Sequence, residues 1–190
     1  MLIAIIVIAV VVVLIIALIW GTYNGLVKTD ERVEEAWSDI NVQLKRRADL
    51  IPNLVETVKG YAKHENEAIK AVSDARAKMM GARSVSDKAE ADGSLTGALS
   101  RLMAVTEAYP ELKANTNFQQ LAAEISDTED KIQAARRFYN AGVKELNTKI
   151  KMFPSNLINS MVGHFKAREY YEVPEAEQAK IDQAPEVKFS

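Results

Sequence analysis

The residues of this chain best suited to chemistry are its two histidines, His64 and His164, and three consecutive cations, Lys45-Arg46-Arg47. There is no cysteine, which excludes a thiolate nucleophile and a thiolate metal ligand. No serine stands in a G-x-S-x-G turn, the pattern that exposes the nucleophile of many hydrolases, although a serine–lysine pair is left open. The remaining chemistry would rest on histidine, carboxylates or the basic cluster.

Neither histidine has the neighbours that a helical metal site requires. Di-iron carboxylate bundles use Glu-x-x-His, but Tyr61 precedes His64 by three residues and Met161 precedes His164. Glu67 would share a helical face with His64, yet such charged runs are usually solvated. We therefore expect no metal, no cofactor and no catalysis, with a metal-dependent enzyme using His64 or His164 as an alternative.

The carboxylates are numerous but lie among cations three or four residues away, as Glu56 does with Lys59. Such pairs stabilise an exposed helix by a few tenths of a kcal/mol each. They do not indicate the paired acids of general acid–base catalysis.

The basic cluster is dispersed by helical geometry. Three successive helical residues spread over roughly 200° of the circumference, so they cannot converge on one anion. Arg46 and Arg47 border the apolar stripe at Leu44 and Leu50. There the aliphatic parts of their side chains would cover apolar surface, and their guanidinium groups would pair with acids on a partner helix. A site for phosphate or lipid head groups is the less favoured alternative.

Pro52 lies within the same helical pattern and would leave the carbonyl of Ala48 without its partner. We interpret it as a bend rather than the first residue of a new helix, because Ile51 would be a poor cap. The surrounding stretch is therefore predicted to be an assembly or partner contact, formed by Arg46, Arg47, Asp49, Pro52 and Tyr61.

The chain starts with a membrane-anchor pattern. Leu2 to Trp20 contains no charge, hydroxyl, Gly or Pro, and as a helix it would be roughly 28 Å long, close to the ~30 Å bilayer core. Trp20 and Tyr23 occupy positions typical of interfacial aromatics. A cleaved signal peptide would carry an N-terminal cation and an A-x-A-like site, and neither is found. A retained single span over residues 1–22 is predicted.

The charges leave the side of the membrane open and argue against nucleic acid. Every Lys and Arg follows the span, which favours a cytoplasmic domain, but only Lys28 and Arg32 lie close enough to count strongly. The 24 cations and 26 acids nearly balance, so there is no basic field to attract nucleic acid.

Beyond the anchor the pattern is helical. Apolar residues recur at spacings of three and four from Val33 to Val72, which predicts one helix from about Asp30 to Met80, continuous or nearly so with the anchor. Its length is typical of a coiled-coil or bundle rod. Residues 81–97 hold Gly, Ser and Asp with few large apolar side chains, which predicts a turn and a loop or frayed helix end.

Two further long helices are predicted. A second apolar stripe reaches Tyr109, where Pro110 breaks it. Asn117 with Gln120 matches a capping box and would open a third helix, which ends before Pro154.

Ser155 can cap a short helix that reaches about Val162, and the polar residues beyond Tyr171 suggest an extended tail. The predicted fold is all-α: an N-terminal transmembrane helix, an antiparallel bundle of three long helices (one of them broken), a short C-terminal helix and an extended tail. The predicted regions are the span at 1–22, the helical domain at 23–171 and the tail at 172–190.

Taken together, these motifs resemble the LemA family of bacterial membrane-associated helical proteins. The densest match is QLKRRADLIPNLV at 43–55. The resemblance also covers YNGLV (23–27), EEAWS (34–38), GYAKHE (60–65), AYPEL (108–112), RFYN (137–140), FPSNLI (153–158) and APEVKF (184–189). It implies an anchored helical bundle with no catalytic residue or cofactor to carry over, and, through a magnetosome member, a link to membrane organisation. Some members carry a lipoprotein signal instead of the anchor, which implies a domain outside the cytoplasm. This chain lacks the cysteine such a signal needs.

We therefore expect a single-pass protein of the bacterial inner membrane that self-associates and organises or shapes the bilayer, or recruits partners. An accessory or adaptor protein of a membrane peptidase or transporter system is the alternative within the same setting. The expected partners are the lipid bilayer, further copies of the chain and an unidentified membrane protein.

Overall fold

The computed structural model describes residues 1–172, and within them the chain forms helices and no strand. The all-α prediction is confirmed, while all of the predicted tail except Glu172 lies outside the described residues. The helices are α1 (Leu2–Tyr61), α2 (Asn66–Gly81), α3 (Val85–Thr106), α4 (Pro110–Lys113), α5 (Thr116–Lys149) and α6 (Ser155–Val162).

Helix α1 runs through Pro52 without interruption, so the alternative of a new helix starting there is wrong. The predicted extension to Met80 is also wrong, because the chain turns between α1 and α2, where the Glu65 N–H donates to the carbonyl of Ala62. Ala62 is fully buried in this turn. The apolar spacing therefore persists across the break, and periodicity alone does not reveal it.

Helix α3 begins far earlier than the predicted loop allows. The Ser84 hydroxyl accepts from the backbone N–H of Asp87 at 3.0 Å, and the Asp87 carboxylate accepts from the Ser84 N–H at 3.3 Å. This capping box satisfies two of the unpaired donors of the first turn, and its hydrogen bonds lower the pKa of Asp87. Ala89 and Ala91 are buried on the following turns. The predicted loop is wrong because the small residues of this stretch pack on the buried face of α3.

The boundaries of α5 differ by a few residues from those expected. The cap is Asn115 rather than Asn117, since the Asn115 side chain accepts from the N–H of Phe118 at 3.0 Å. The helix ends at Lys149, before Phe153. In the short helix α6, Ser155 is the first helical residue and makes no side-chain cap.

The chain divides into two compact units. Unit 1 comprises Met1–Asp39 and Ala135–Glu169, and among the described residues unit 2 comprises Ile40–Ala134 and residues 170–172. Helices α1 and α5 each contribute to both units.

In unit 2, the later part of α1 packs with α2, α3, α4 and the start of α5 around one apolar core. Arg76 on α2 donates to the carbonyl of Ala48 on α1 at 2.7 Å, which fixes the return of α2 along α1. The largest fully buried apolar residues of this core come from three helices, α1, α3 and α4: Ile51, Leu54, Leu95, Leu102 and Leu112.

In unit 1, the early part of α1 and the later part of α5 run antiparallel. The rings of Trp37 and Tyr139 lie 5.6 Å apart between centroids. Nearer the start of α1, the Lys149 ammonium donates to the Thr29 hydroxyl at 2.7 Å. Between these contacts Gly142 lies against Val33, so close that a β-carbon at 142 would come within 3.1 Å of the valine side chain.

The first turns of α1 differ from the rest of the helix because every side chain from Leu2 to Trp20 is exposed. Within the described part of the chain, α1 is the one helix long and apolar enough to cross a membrane. This segment is compatible with the predicted anchor.

Candidate functional site: a buried arginine network

The polar site with the deepest burial is centred on Arg47, whose side chain is 1% exposed. Arg47 lies on the apolar face of α1, three residues after Leu44 and four before Ile51. A buried guanidinium is costly unless acids and hydrogen-bond acceptors surround it. Its surroundings in unit 2 supply them.

The guanidinium is held by an acid from each of two other helices. One terminal nitrogen pairs with the Asp92 carboxylate of α3, and the other pairs with the Glu129 carboxylate of α5. The nitrogen facing Glu129 also donates to the Thr96 hydroxyl at 3.2 Å. The two carboxylates compensate the cation. The arrangement therefore joins α1, α3 and α5.

The second oxygen of Asp92 is held from the chain that follows α6. The Tyr171 hydroxyl donates to it at 3.0 Å, and the Tyr171 ring is buried. Nearby, the Lys88 ammonium contacts the Asn41 amide oxygen, and burial lowers the pKa of Lys88. We call Arg47, Asp92, Glu129 and Tyr171 the Arg47 network. It connects three helices and the segment after α6 through one buried charge cluster.

A cavity of about 450 Å³ opens beside the network, between α3 and α5. Arg47, Glu129 and Thr96 form its polar end, while Leu99, Met103, Ala122 and Ile125 make up its apolar wall, with Ser100 and Ser126 completing the lining. The volume falls in the range of small-molecule sites. However, Glu129, the one acid in the lining of this cavity, already pairs with Arg47.

The other four residues predicted for the assembly contact are accessible. Arg46 is half exposed, with its guanidinium 3.9 Å from the Glu124 carboxylate, and Asp49 pairs with Lys45 at 3.5 Å. Their role as a contact stays a prediction.

Pro52 is exposed on α1, and Tyr61 at the end of α1 is 41% exposed. The Tyr61 hydroxyl accepts from the Asn115 amide at 2.9 Å. Arg47 differs from all four: its charge is used inside the chain, so it does not offer a partner an exposed cation.

The histidines occupy exposed positions outside regular helix. His64 lies in the turn between α1 and α2, so the expected shared helical face with Glu67 does not form. His164 follows Gly163 at the end of α6. Among residues 1–172, no three His, Asp or Glu side chains come together as a metal site would require.

The acids of the network were missed, although a signal for them exists. Extending the α3 stripe by one turn from Leu95 places Asp92 on the buried face. Glu129 likewise lies four residues after Ile125 and three before Ile132. One charged residue interrupts each apolar stripe, and charges of opposite sign on different stripes indicate a buried pair. Tyr171 has no comparable signal, because it lies outside any helix.

Comparison with known proteins agrees with the helical pattern. The profile of the LemA family matches residues 36–189. Protein LemA of Metamycoplasma hominis is 29% identical over 167 residues, covering 85% of this chain and 74% of that protein. Magnetosome protein MamQ 2 of Paramagnetospirillum magneticum is 28% identical over 183 residues, covering 83% of this chain and 67% of that protein. Magnetosome protein MamQ of Magnetospirillum gryphiswaldense is 26% identical over 175 residues, covering 78% and 64%. The chain belongs to the LemA family.

Proposed function

We propose that this chain is a single-pass protein of the bacterial inner membrane whose helical region acts as a scaffold without catalysis. It self-associates and organises the bilayer or recruits other membrane proteins. The observation that carries this proposal is the continuity of α1. One helix starts as an exposed apolar segment of spanning length and continues into the packed units. A rigid connection of this kind suits a protein that positions its folded part at a membrane.

Exposed apolar side chains outside the span support self-association. Val42 is 58% exposed, and Phe138 on α5 is 54% exposed. These two side chains are therefore the positions at which we expect contact with a second copy of the chain. Relatives named as magnetosome proteins are consistent with the link to membrane organisation that the family resemblance implies.

Cross-linking of single cysteines tests self-association cleanly, because the natural chain has no cysteine. Val42→Cys and Phe138→Cys in the full chain should form covalent dimers with a short bismaleimide in native membranes. Glu56→Cys, exposed on a polar part of α1, is the matched control and should react far less. Chains that stay monomeric in mild detergent and do not cross-link at either position would overturn the scaffold proposal.

The side of the membrane requires a separate measurement. Glu67→Cys, exposed on α2, can be treated with a membrane-impermeant maleimide in intact cells. Labelling only after lysis places the helical region in the cytoplasm, as the charge rule favours. Labelling of intact cells places it outside, as in lipoprotein-type relatives.

Two alternatives give different results in related experiments. An adaptor of a membrane peptidase or transporter would co-purify with that complex in fixed stoichiometry from native membranes and would not cross-link to itself. An enzyme using His64 or His164 would hold a metal after purification, and His64→Ala or His164→Ala would remove the metal while the helical spectrum stays unchanged.

A further inference from the structure

The turn before α6 and α6 itself carry an exposed apolar face. Met152, Phe153, Leu157 and Met161 are 57%, 76%, 55% and 79% exposed, whereas Ile158 is 4% exposed. Leu157 and Met161 are four residues apart and lie on one side of α6, and Phe153 lies in the turn before the helix. The segment therefore has one side packed into unit 1 at Ile158 and, beside it, an exposed apolar surface that is not covered by the described part of the chain.

The position of this segment within unit 1 follows from its contacts. Because α5 runs antiparallel to α1 and Lys149 lies beside Thr29, the chain beyond Lys149 continues toward the apolar end of α1. After α6, the Phe165 ring lies 5.9 Å from the Tyr23 ring between centroids. Tyr23 is three residues past Trp20, about 4.5 Å along the helix axis. The α6 segment is thus anchored at the level where the apolar span ends.

The charge of the same segment is uniformly positive. No Asp or Glu occurs between Glu145 and Glu169, a stretch with four Lys or Arg residues. Two of these cations have partners inside unit 1: Lys149 pairs with Glu145, and Arg168 pairs with Asp30. The other two, Lys151 before α6 and Lys166 after it in the sequence, are exposed.

We propose that α6 and the preceding turn form a second membrane contact, with Phe153, Leu157 and Met161 inserted into the interfacial layer of the bilayer beside the anchor. The exposed cations Lys151 and Lys166 contact anionic lipid head groups. Amphipathic helices with apolar residues on one face and lysines at its margin bind membranes in this way. This inference rests on the proposed function, because α6 lies at the bilayer surface only if α1 spans it. A lipid surface is favoured over a second copy of the chain because the face is both basic and level with the end of the span.

Spin labels at single cysteines in the full chain test this inference. The protein is reconstituted into vesicles of phosphatidylcholine and phosphatidylglycerol, with labels at Leu157→Cys or Met161→Cys. Collisions with apolar oxygen should predominate at both sites, and collisions with a water-soluble nickel chelate should be lost. The matched control is Ala141→Cys, exposed on α5 about 12 Å along the helix axis before its end at Lys149, which should keep free access to the nickel chelate.

A label at Val10→Cys separates failure of this inference from failure of the anchor. If the label at Val10 collides mainly with oxygen while the labels at 157 and 161 collide with the nickel chelate, the interfacial contact is overturned and the anchor is left intact. Nickel access at Val10 would overturn both. A third outcome would also overturn the lipid contact, in favour of a second copy of the chain. In that outcome the labels at 157 and 161 are protected from both reagents, and their spin–spin broadening disappears on dilution with unlabelled chains.

The basic residues give an independent arm. In vesicles with phosphatidylglycerol, Lys151→Gln combined with Lys166→Gln should shift the label at Met161→Cys toward the aqueous phase. In vesicles of phosphatidylcholine alone, the same substitutions should produce no shift. An equal shift in both lipids would contradict the role of these lysines in binding anionic head groups.

Discussion

Two ionic networks attach the chain beyond α6 to the helices, and they differ mainly in their burial. In unit 2, three members of the Arg47 network, Arg47, Asp92 and Tyr171, are nearly fully buried, and the Glu129 side chain is 28% exposed. In unit 1, Arg168 pairs with Asp30 at 3.0 Å and with Glu34 at 3.4 Å, and the Arg168 side chain is 40% exposed. We call these three residues the Arg168 network.

The comparison indicates that removing one member of a buried ion pair should change the free energy of unfolding far more than removing one member of an exposed pair. Exposed ion pairs gain little, because water and salt screen them and ordering long side chains costs entropy. A buried pair is itself a weak source of stability, but removing one member leaves an uncompensated charge away from water. The Arg47 network is therefore a point where a single substitution is severe, while the Arg168 network is tolerant.

The largest effect is expected for Arg47→Ala. Loss of the guanidinium leaves the Asp92 and Glu129 carboxylates facing each other without a cation, which should lower the free energy of unfolding by about 3–5 kcal/mol. Thermal unfolding of the full chain in mild detergent, followed by circular dichroism, measures this. The matched control is the neighbouring, half-exposed Arg46, where Arg46→Ala should cost less than about 1 kcal/mol. Equal melting temperatures for the two variants would contradict the assigned difference.

A smaller effect is expected for Tyr171→Phe, which keeps the buried ring but removes the hydroxyl that donates to Asp92. One carboxylate oxygen then stays buried without that donor, at a cost of about 1–3 kcal/mol. The same melting experiment checks it. Tyr170→Phe, at a more exposed neighbouring position, is the control and should melt like the natural chain. If Tyr171→Phe is also neutral, the hydroxyl does not contribute to the network.

Arg168→Ala should lower the free energy of unfolding by less than about 1 kcal/mol, because its partners are accessible to water. The effect should shrink further between 0.1 and about 1 M salt, where the screening length falls from about 10 to 3 Å. The Arg47→Ala effect should be nearly independent of salt. A cost for Arg168→Ala that matches Arg47→Ala, or that persists at high salt, would remove the distinction between the two networks.

The smallest effect is a pH dependence in unit 1. The hydrogen bond from Lys149, with help from Arg32 and Thr29, lowers the pKa of Glu145 below its ordinary 4.5. An acid with a lowered pKa in the folded state contributes stability above its unfolded pKa, and this contribution is lost as the pH falls through the folded value. Glu145→Gln should therefore reduce the slope of melting temperature against pH below about pH 4.5 and leave that slope nearly unchanged near neutrality. Lys149→Gln should flatten it similarly, and an unchanged acid slope in both variants would contradict the assignment.

Much of the fold could be predicted because the apolar spacing is local information. The stripe beginning at Val33 and the all-helical class follow from spacings of three and four residues. The turn at Ala62–Glu65 could not be predicted in the same way, because Ala62 is buried in the turn and preserves the spacing. The start of α3 was missed because Ala89 and Ala91 pack as small residues, although the Ser84 and Asp87 capping box was present to be found.

For the candidate site, the sequence predicted that Arg46 and Arg47 alike pair with acids on another helix, and the structure shows that only Arg47 is buried. The choice of its partners among 26 acids depends on which helices lie side by side. Asp92 and Glu129 are 45 and 82 residues from Arg47 in the chain. Their approach is a consequence of packing rather than of spacing.

The sequence by itself determined the apolar N-terminal segment, the helical class and the balance of charge, because each depends on residue type and local periodicity alone. The tertiary structure decided that Arg47 is buried inside the chain, that Arg168 and Tyr171 hold the segment after α6, and that Phe165, just after α6, contacts Tyr23 near the end of the apolar segment. The physical reason is that burial and charge compensation depend on contacts between distant segments, and no local pattern specifies those contacts.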